Sequence, residues 1–258
     1  MNTSEKINFI SGWIADYSKK NNFSSLVIGI SGGIDSAVTS TLSARTNLQT
    51  HVVTMPILDH QTLNNRGNNH VDWLKKNFKN ITHHHIDLSK VFGEFQDKLG
   101  SNNSEHGYAN SQARLRMTTL YQIAASNNGI VVGTGNKVED FGIGFYTKYG
   151  DGGVDISPIA DLLKSEVFSL ARFHKIIDEI IEAEPNDGLW NDNRSDEDQI
   201  GATYSELEWA MIQKDNKKTP DDFKGRDKEV LEILMKFNSQ NSHKMDPIPI
   251  FKIPENLK

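Results

Sequence analysis

Cysteine is absent from this sequence, which excludes disulfides, thiolate metal sites and a cysteine nucleophile. Long apolar runs are absent too, since none approaches the ~20 residues that span a bilayer, and the polar N-terminus has no signal-peptide pattern. Basic residues are fewer than acidic ones, since the sequence has 28 Lys and Arg and 34 Asp and Glu, which gives a net charge of −6. A broad nucleic-acid-binding surface is therefore not expected. We expect a cytoplasmic protein that binds neither membranes nor nucleic acids.

The length and composition suit one globular domain. The chain has 258 residues, of which 36% are hydrophobic and 24% charged, and these values are typical of a protein with a sizeable core. We expect residues 1–258 to form a single domain. Residues 244–258 contain Pro247, Pro249 and Pro254 and show no periodicity, so we expect an extended C-terminal tail there.

Strands alternate with helices along the chain. Between amphipathic helical segments lie runs typical of buried strands, at residues 26–30, 50–56, 81–88 and 130–134. This alternation predicts an α/β fold, a doubly wound parallel sheet flanked by helices. Ligands bind at the carboxyl ends of the strands in such sheets. Because Gly32, Pro56, Asp87 and Thr134 follow the strands, we expect the site along that edge.

A glycine turn joins the first strand to the next helix, in the stretch LVIGISGGIDSAV at residues 26–38. Gly32 and Gly33 allow a sharp turn and a close approach to a ligand, and the helix N-terminus offers free N–H groups to an anion. Asp35 adds a carboxylate that could hold Mg²⁺. These features suit a polyphosphate. The alternative is a plain strand-to-helix turn in which Ser31 or Asp35 caps the helix.

Two known phosphate-binding motifs do not match this turn. No Lys-Ser or Lys-Thr follows the glycines, as a Walker A loop requires, and the third glycine of the dinucleotide fingerprint is missing. Three adjacent histidines, His83 to His85, form a second conspicuous group. On a strand His83 and His85 share one face and His84 the other. We favour a polar strand end over a metal site, because no second ligand cluster has zinc spacing.

Several segments are predicted as loops. The polar stretches at residues 57–69 and 100–107 are rich in turn-forming residues, and in the loop at residues 184–195 Leu189 and Trp190 are expected anchors. The segment at residues 135–159 is dense in glycine, carries both charges and includes four aromatic residues, which is typical of a functional loop. Its aromatic side chains are expected to pack against a flat group or a second subunit.

Four sequence motifs resemble those of a known family. SGGIDS at residues 31–36 resembles the loop of the ATP pyrophosphatases, and GTGNKVED from Gly133, FYTKYGDGG at residues 145–153 and the His243-Lys244 pair resemble the ammonia-dependent NAD synthetases. The similarity covers residues 3–249. It implies a Rossmann-like fold of the adenine nucleotide α-hydrolase type, without a glutaminase domain. Free ammonia is then the implied nitrogen donor.

The resemblance also implies a reaction and its partners. The carboxylate of deamido-NAD would attack ATP, and ammonia would then displace AMP to give NAD, with Mg²⁺ as the cofactor and a homodimer as the assembly. Asp35 and Lys164 are the implied catalytic residues, and Asp35 and Glu139 the implied metal ligands. The implied ATP site comprises Gly29, Ile30, Ser31, Gly32, Gly33, Ile34, Asp35, Ser36, Thr134, Lys164 and Asn186. The implied deamido-NAD contacts are Arg114, Lys148, Asp155, His243 and Lys244.

Two departures from the family pattern leave alternatives open. The run from Glu139 to Lys148 is one residue longer, so Asp140 could replace Glu139 as a metal ligand, and Asn186 stands where Thr or Ser is usual. Other ATP pyrophosphatases are the competing enzymes, but a GMP synthetase leaves the phrase at residues 133–153 unexplained and a tRNA-modifying enzyme suits the negative charge poorly. A non-catalytic adenine-nucleotide-binding protein would not need the second acid or the further cations.

Overall fold

The computed structural model describes residues 2–58, 61–186 and 195–258. Strands and helices alternate through the N-terminal half, and helices dominate the remainder. The strands are β1 (Ser25–Gly29), β2 (Gln49–Thr54), β3 (Ile81–His85) and β4 (Gly129–Val131). The helices are α1 (Thr3–Lys20), α2 (Ile34–Ala44), α3 (Gln61–Asn77), α4 (Ser89–Leu99), α5 (Glu105–Ser126), α6 (Lys164–His174), α7 (Asp178–Ile181), α8 (Asp196–Ile200), α9 (Tyr204–Asp215) and α10 (Gly225–Met245).

The strands of the described ranges form one parallel sheet in the order β3-β2-β1-β4. Successive side chains of β1 pack in two different cores, one on each face of the sheet, because side chains of a strand alternate between its faces. Leu26 and Ile28 pack in the core that also contains residues of α1, α2, α3 and α6. Val27 packs in the core formed with α4 and α5. The predicted doubly wound α/β fold is thus confirmed, and the carboxyl ends of β1, β2 and β4 share one edge.

A third core lies beyond the sheet. It is built on a turn of π-helix, Val138–Ile143, which packs against α9 and α10. Val138, Ile143 and Leu234 are almost fully buried there. This core fixes the first part of the segment predicted as a loop at residues 135–159, so that Glu139 and Asp140 project from a packed helical turn.

Three helices are longer than the sequence predicts. α3 begins at Gln61, inside the segment predicted as a loop, because Val71 and Leu74 give its polar sequence a buried stripe. α5 begins at Glu105, inside the segment predicted as a loop at residues 100–107, and the Ser104 side chain caps it by accepting from the Gly107 amide. α10 runs to Met245.

The C-terminal tail therefore starts later than predicted. Lys244 belongs to α10, where its Nζ donates to the carbonyl oxygens of Gly144 and Tyr146 at 2.8 and 2.9 Å and holds the last turn. Residues 246–258 then contain a single 3₁₀ turn, Glu255–Leu257. The expected anchors Leu189 and Trp190 lie outside the described residues.

The histidines of β3 lie as the strand period predicts. His83 and His85 both hydrogen bond the Thr54 hydroxyl, at 2.9 and 3.0 Å, whereas His84 on the opposite face bonds His51 at 2.9 Å. Within the described ranges no three His, Cys, Asp or Glu side chains are grouped to hold a metal ion. No helix there combines the length and apolar character that crossing a bilayer demands.

Candidate active site

The glycine turn between β1 and α2 depends on one glycine in particular. Gly32 has φ +86°, and a Cβ there would lie 2.4 Å from the carbonyl oxygen of Leu63 in α3. Any L side chain would therefore be strained by its backbone conformation and would also collide with α3. The turn is compact because α3 closes over it, an arrangement that the local sequence does not reveal.

The serine hydroxyls of the turn bond to one another. Ser31 Oγ and Ser36 Oγ are 3.0 Å apart, Ser31 Oγ accepts from the Gly33 amide, and Ser36 Oγ donates to the Gly33 carbonyl oxygen. The residue that caps α2 is Gly33, and no side chain hydrogen bonds to the first turn as a cap. The alternative in which Ser31 or Asp35 caps the helix is therefore wrong. The N-terminus of α2 is left open, as an anion-binding turn requires.

Two carboxylates converge on one buried lysine beside this turn. Lys164 Nζ, at the start of α6, donates to Asp35 Oδ2 at 2.6 Å and to Glu139 Oε1 at 3.0 Å. Its side chain is only 3% exposed. Asn136 completes the arrangement, since its Nδ2 donates to Asp35 Oδ1 and its Oδ1 accepts from the Glu139 amide. We name Asp35, Glu139 and Lys164 the acid–lysine centre.

Burial and the neighbouring charges have opposite effects on the pKa values of the acid–lysine centre. Burial raises the pKa of Asp35 despite its contact with Lys164. Burial also opposes ionisation of Glu139, but the Lys164 charge and a hydrogen bond from Tyr204 together hold its pKa below the usual range. Lys164 loses hydration on burial, yet its two acidic partners raise its pKa and keep it charged. The centre thus holds a cation between two acidic side chains in a water-poor environment.

Tyr204 is a member of the site that the sequence did not indicate. Its hydroxyl donates to Glu139 Oε1 at 2.6 Å and lies 3.2 Å from Asp196 Oδ2, and its ring lies 4.6 Å from Lys164 Nζ. Burial and the neighbouring carboxylates raise its pKa, so the hydroxyl stays protonated as a donor. Because Tyr204 lies far along the chain in α9, no local pattern links it to Glu139.

The π-helix brings a further acid to the same place. The π-helix Val138–Ile143 places Asp140 directly after Glu139 in the same helical turn. Asp140 lies against Gly135, where a Cβ would sit 2.2 Å from its carboxylate. Burial, then the charges of Glu139, Asp151 and Asp35, raise the pKa of Asp140 to about 7.

A cavity of about 610 Å³ opens from the glycine turn along the carboxyl edge of the sheet. The structure places nearly every predicted ATP residue on its wall, and Gly32 is the exception because α3 covers it. The wall includes Gly29, Ile30, Ser31, Gly33, Ile34, Asp35, Ser36, Thr134, Lys164 and Asn186, together with Glu139 and Asp140.

The residues predicted to contact deamido-NAD are divided between two places. Lys244 lines the cavity. Arg114, Lys148 and His243 form a chain outside it, in which Arg114 Nε donates to the Lys148 carbonyl oxygen and Lys148 Nζ donates to the His243 carbonyl oxygen. Asp155 also lies apart, where its carboxylate accepts from a backbone amide and from a tyrosine hydroxyl.

Arg116 and Asp151 also line the cavity, although neither was predicted to be in the site. Arg116 in α5 donates from Nε to the Met55 carbonyl oxygen at 3.2 Å, and burial lowers its pKa to about 10. Asp151 accepts from the Thr147 amide, and burial raises its pKa to about 6. Arg116 lies off the apolar stripe of α5, a signal that spacing alone could not separate from an exposed surface residue.

The acid–lysine centre suits a divalent metal ion by its chemistry. Mg²⁺ prefers hard oxygen ligands and is usually held by one or two carboxylates together with substrate phosphates and water. Asp35 and Glu139 already converge on a cationic group, the Lys164 ammonium. A second cation brought by a polyphosphate would meet the same two carboxylates, so the residues present fit this metal.

The parallel sheet, the glycine turn at its carboxyl edge and the buried acids beside it define an α/β protein of the PP-loop fold, in which this glycine turn is the PP-loop. The chain belongs to the NAD synthase family, whose model matches residues 6–248.

Individual relatives resemble the chain over nearly its whole length. The NH(3)-dependent NAD(+) synthetase of Alkaliphilus metalliredigens is 35% identical over 96% of this chain and 99% of the relative. The solved structure of the NMN synthetase from Francisella tularensis is 30% identical, with a TM-score of 0.84 and 99% of both chains covered. The NH3-dependent NAD synthetase from Campylobacter jejuni is 23% identical with a TM-score of 0.79, and this second structure bears on the fold alone.

Proposed function

We propose that this protein is an AMP-forming ligase that amidates the nicotinate carboxylate of a nucleotide, with ammonia as the nitrogen donor. The observation that carries the proposal is the position of the acid–lysine centre, which adjoins the open N-terminus of α2 in one cavity. Family membership and the curated ammonia-dependent relatives support the same reaction.

The reaction needs two displacements. A carboxylate oxygen of the acid attacks the α-phosphorus of ATP, the bond from that phosphorus to the bridging oxygen breaks, and pyrophosphate leaves with the electron pair. The nitrogen of ammonia then adds to the carbonyl carbon, a proton is lost, and AMP departs with the oxygen that came from the acid. Activation is needed because a carboxylate is a poor electrophile.

The residues of the site have distinct proposed tasks. The amides of the glycine turn and the N-terminus of α2 bind the β- and γ-phosphates, which leaves the α-phosphorus open to attack. Lys164 stays charged beside the transferring phosphoryl group, where such a charge stabilises the transition state. Thr134 and Asn186 contact ATP from the rest of the cavity wall.

Asp35 and Glu139 would hold Mg²⁺ when it is bound, and the ion would neutralise charge that develops on the phosphates. Glu139 is favoured over Asp140 as the second ligand, because Glu139 shares Lys164 with Asp35 and is oriented by Tyr204. Asp140, with a raised pKa, is the weaker candidate.

Deamido-NAD is the proposed acid substrate, with Lys244 in the cavity and Arg114, Lys148, Asp155 and His243 at its outer side. One observation favours a second candidate, an acid that is a mononucleotide. The solved NMN synthetase covers 99% of this chain at 30% identity, and four of the five predicted dinucleotide contacts lie off the cavity wall. Amidation of nicotinic acid mononucleotide gives NMN by the same chemistry.

The deciding experiment supplies ATP, Mg²⁺ and ammonium with either deamido-NAD or nicotinic acid mononucleotide, and follows amide and AMP by chromatography. The proposal expects AMP in equal amount to amide with at least one acid. ADP in place of AMP would contradict the adenylation chemistry. The ratio of kcat/KM for the two acids then chooses between the candidates.

The predictions on domain organisation, assembly and location accompany this function. We propose that residues 1–258 act as one synthetase domain that takes free ammonia, that the protein is a homodimer, and that it works in the cytoplasm. Sedimentation at working concentration checks the homodimer, and a species of about 29 kDa alone would contradict it.

A further inference from the structure

The first turns of α3 pack against the glycine turn beside the cavity. The backbone of α3 touches the turn at Gly32, where a Cβ would meet the Leu63 carbonyl oxygen at 2.4 Å and the Gly67 amide nitrogen at 3.2 Å. Arg66, next to Gly67 in α3, lines the same cavity as Ser31. A ligand bound on the glycine turn therefore lies against this part of α3 as well.

Arg66 lacks a partner for its guanidinium in the part of the chain that the structure describes. Its Nε is buried and makes no hydrogen bond. Burial lowers the pKa of Arg66, and the charge of Glu179 opposes this shift from a distance. A guanidinium remains protonated at any ordinary pH, and a buried donor without an acceptor costs free energy. The cavity wall thus carries a positive charge that a bound anion would satisfy.

The other cations of the cavity wall already have acceptors. Lys164 is shared by two carboxylates, Lys244 donates to two carbonyl oxygens, and Arg116 donates to the carbonyl oxygen of Met55. A polyphosphate on the glycine turn carries several negative charges, and Lys164 is already paired with two acids. Arg66 is the cation beside the turn, among the described residues, whose charge has no such acceptor.

We propose that Arg66 binds the β- and γ-phosphates of ATP from the side opposite the glycine turn. This inference rests on the proposed function for the identity of the nucleotide. A planar guanidinium can donate to two phosphate oxygens at the same time. Arg66 and the amides of the turn therefore bind the pyrophosphate from two sides. When the α–β bond breaks, the electron pair moves to that pyrophosphate, and Arg66 stabilises the charge that develops there.

The test measures nucleotide binding without the reaction. Titration calorimetry with α,β-methylene-ATP and Mg²⁺, in the absence of acid and ammonium, is carried out on the wild type, Arg66→Gln, Arg66→Lys and the control Arg172→Gln. Arg172 is exposed, stacks on Phe168 and lies away from the cavity. We expect Arg66→Gln to weaken binding at least about tenfold, the scale of a charge-assisted hydrogen bond. Arg66→Lys should recover part of the loss, and Arg172→Gln should bind like the wild type.

Pyrophosphate and AMP, used as separate probes, locate the contact. Arg66→Gln should weaken pyrophosphate binding by a similar factor and leave AMP binding unchanged. Equal ATP affinity in the wild type and Arg66→Gln, with both proteins folded by circular dichroism, would overturn the proposal. A parallel loss of AMP binding would overturn it too, since the guanidinium would then contact the AMP portion of ATP. If the expected affinity pattern holds but no amide forms with either acid, the Arg66 assignment stands and the proposed function fails.

Discussion

The glycine turn and the acid–lysine centre meet at Asp35 but are built in different ways. The turn is one continuous stretch, residues 29–36, whose shape follows from glycine, a strand before it and a helix after it. The centre joins Asp35 to Glu139 and Lys164, which lie in other elements far along the chain. We expect the turn to supply generic anion binding and the centre to supply catalysis. Variants that affect one region and spare the other can test this division.

Asp35→Asn should have the largest effect, because Asp35 belongs to both regions. It removes a proposed metal ligand and leaves Lys164 with one acidic partner. We expect the rate of AMP formation to fall about a thousandfold, the upper range for losing one electrostatic group in an active site. The measurement is AMP release at saturating Mg²⁺.

A surface acid provides the control for that variant. Asp161 pairs with Lys137 and its side chain is 96% exposed, so Asp161→Asn should keep wild-type activity. Near-normal AMP formation by folded Asp35→Asn would refute the role of Asp35 in catalysis.

Glu139→Gln and Asp140→Asn form a matched pair that locates the second metal ligand. We expect Glu139→Gln to lose about a hundredfold in kcat and Asp140→Asn to lose much less. Initial rates over a range of Mg²⁺ concentrations measure both. If Asp140→Asn were instead the more damaging change, Asp140 and not Glu139 would be the second metal ligand.

The pH dependence of stability provides a second test of Asp140→Asn. The pKa of Asp140 in the folded protein, about 7, lies above its ordinary value of 3.8, so the charged form destabilises the fold above that pKa. The variant should therefore be more stable than the wild type at about pH 8, and the difference should disappear as the pH falls towards 4. Urea unfolding without Mg²⁺ checks this, and equal stability at both pH values would contradict it.

Tyr204→Phe should have a smaller effect, because the ring remains and only the hydroxyl is lost. Glu139 keeps Lys164 and loses the 2.6 Å hydrogen bond. We expect kcat to fall about tenfold with little change in KM for ATP, since a hydrogen bond to a charged group contributes about 1.5–3 kcal/mol. Steady-state kinetics measure the split, and a change confined to KM would show that Tyr204 acts on binding instead.

His70→Asn should change how stability depends on pH, in addition to a loss at every pH from replacing a fully buried ring. His70 in α3 bonds Ser40 of α2 at 3.0 Å behind the glycine turn, and burial lowers its pKa to about 4. The unfolded chain takes up the proton near the ordinary pKa of 6.5, so the free energy of unfolding falls as the pH drops from 6.5 to 4, by on the order of 3 kcal/mol.

The wild type should therefore lose more stability than His70→Asn over this interval. Asp140 and Asp151 titrate in the opposite sense and are common to both proteins, so the difference between the two curves isolates His70. Parallel curves would contradict the prediction.

The two regions also differ in how far the sequence predicts them. The strands, the parallel sheet and the glycine turn follow from local patterns, and Asp35 could be assigned from the turn alone. Glu139 and Lys164 came from family resemblance, and Tyr204 was missed because a contact between α9 and the π-helix leaves no local signal. The loop predicted at residues 57–69 was wrong in part, since asparagines that suggest turns also occur in α3, where Val71 and Leu74 supply the packing.

The most direct test of adenylation follows an oxygen atom. The acid substrate is labelled with ¹⁸O in its carboxylate and converted with ATP, Mg²⁺ and ammonium, and the products are examined by mass spectrometry. Attack of the carboxylate on the α-phosphorus predicts one labelled oxygen in AMP and none in pyrophosphate. Unlabelled AMP, or label in inorganic phosphate alongside ADP, would contradict the account.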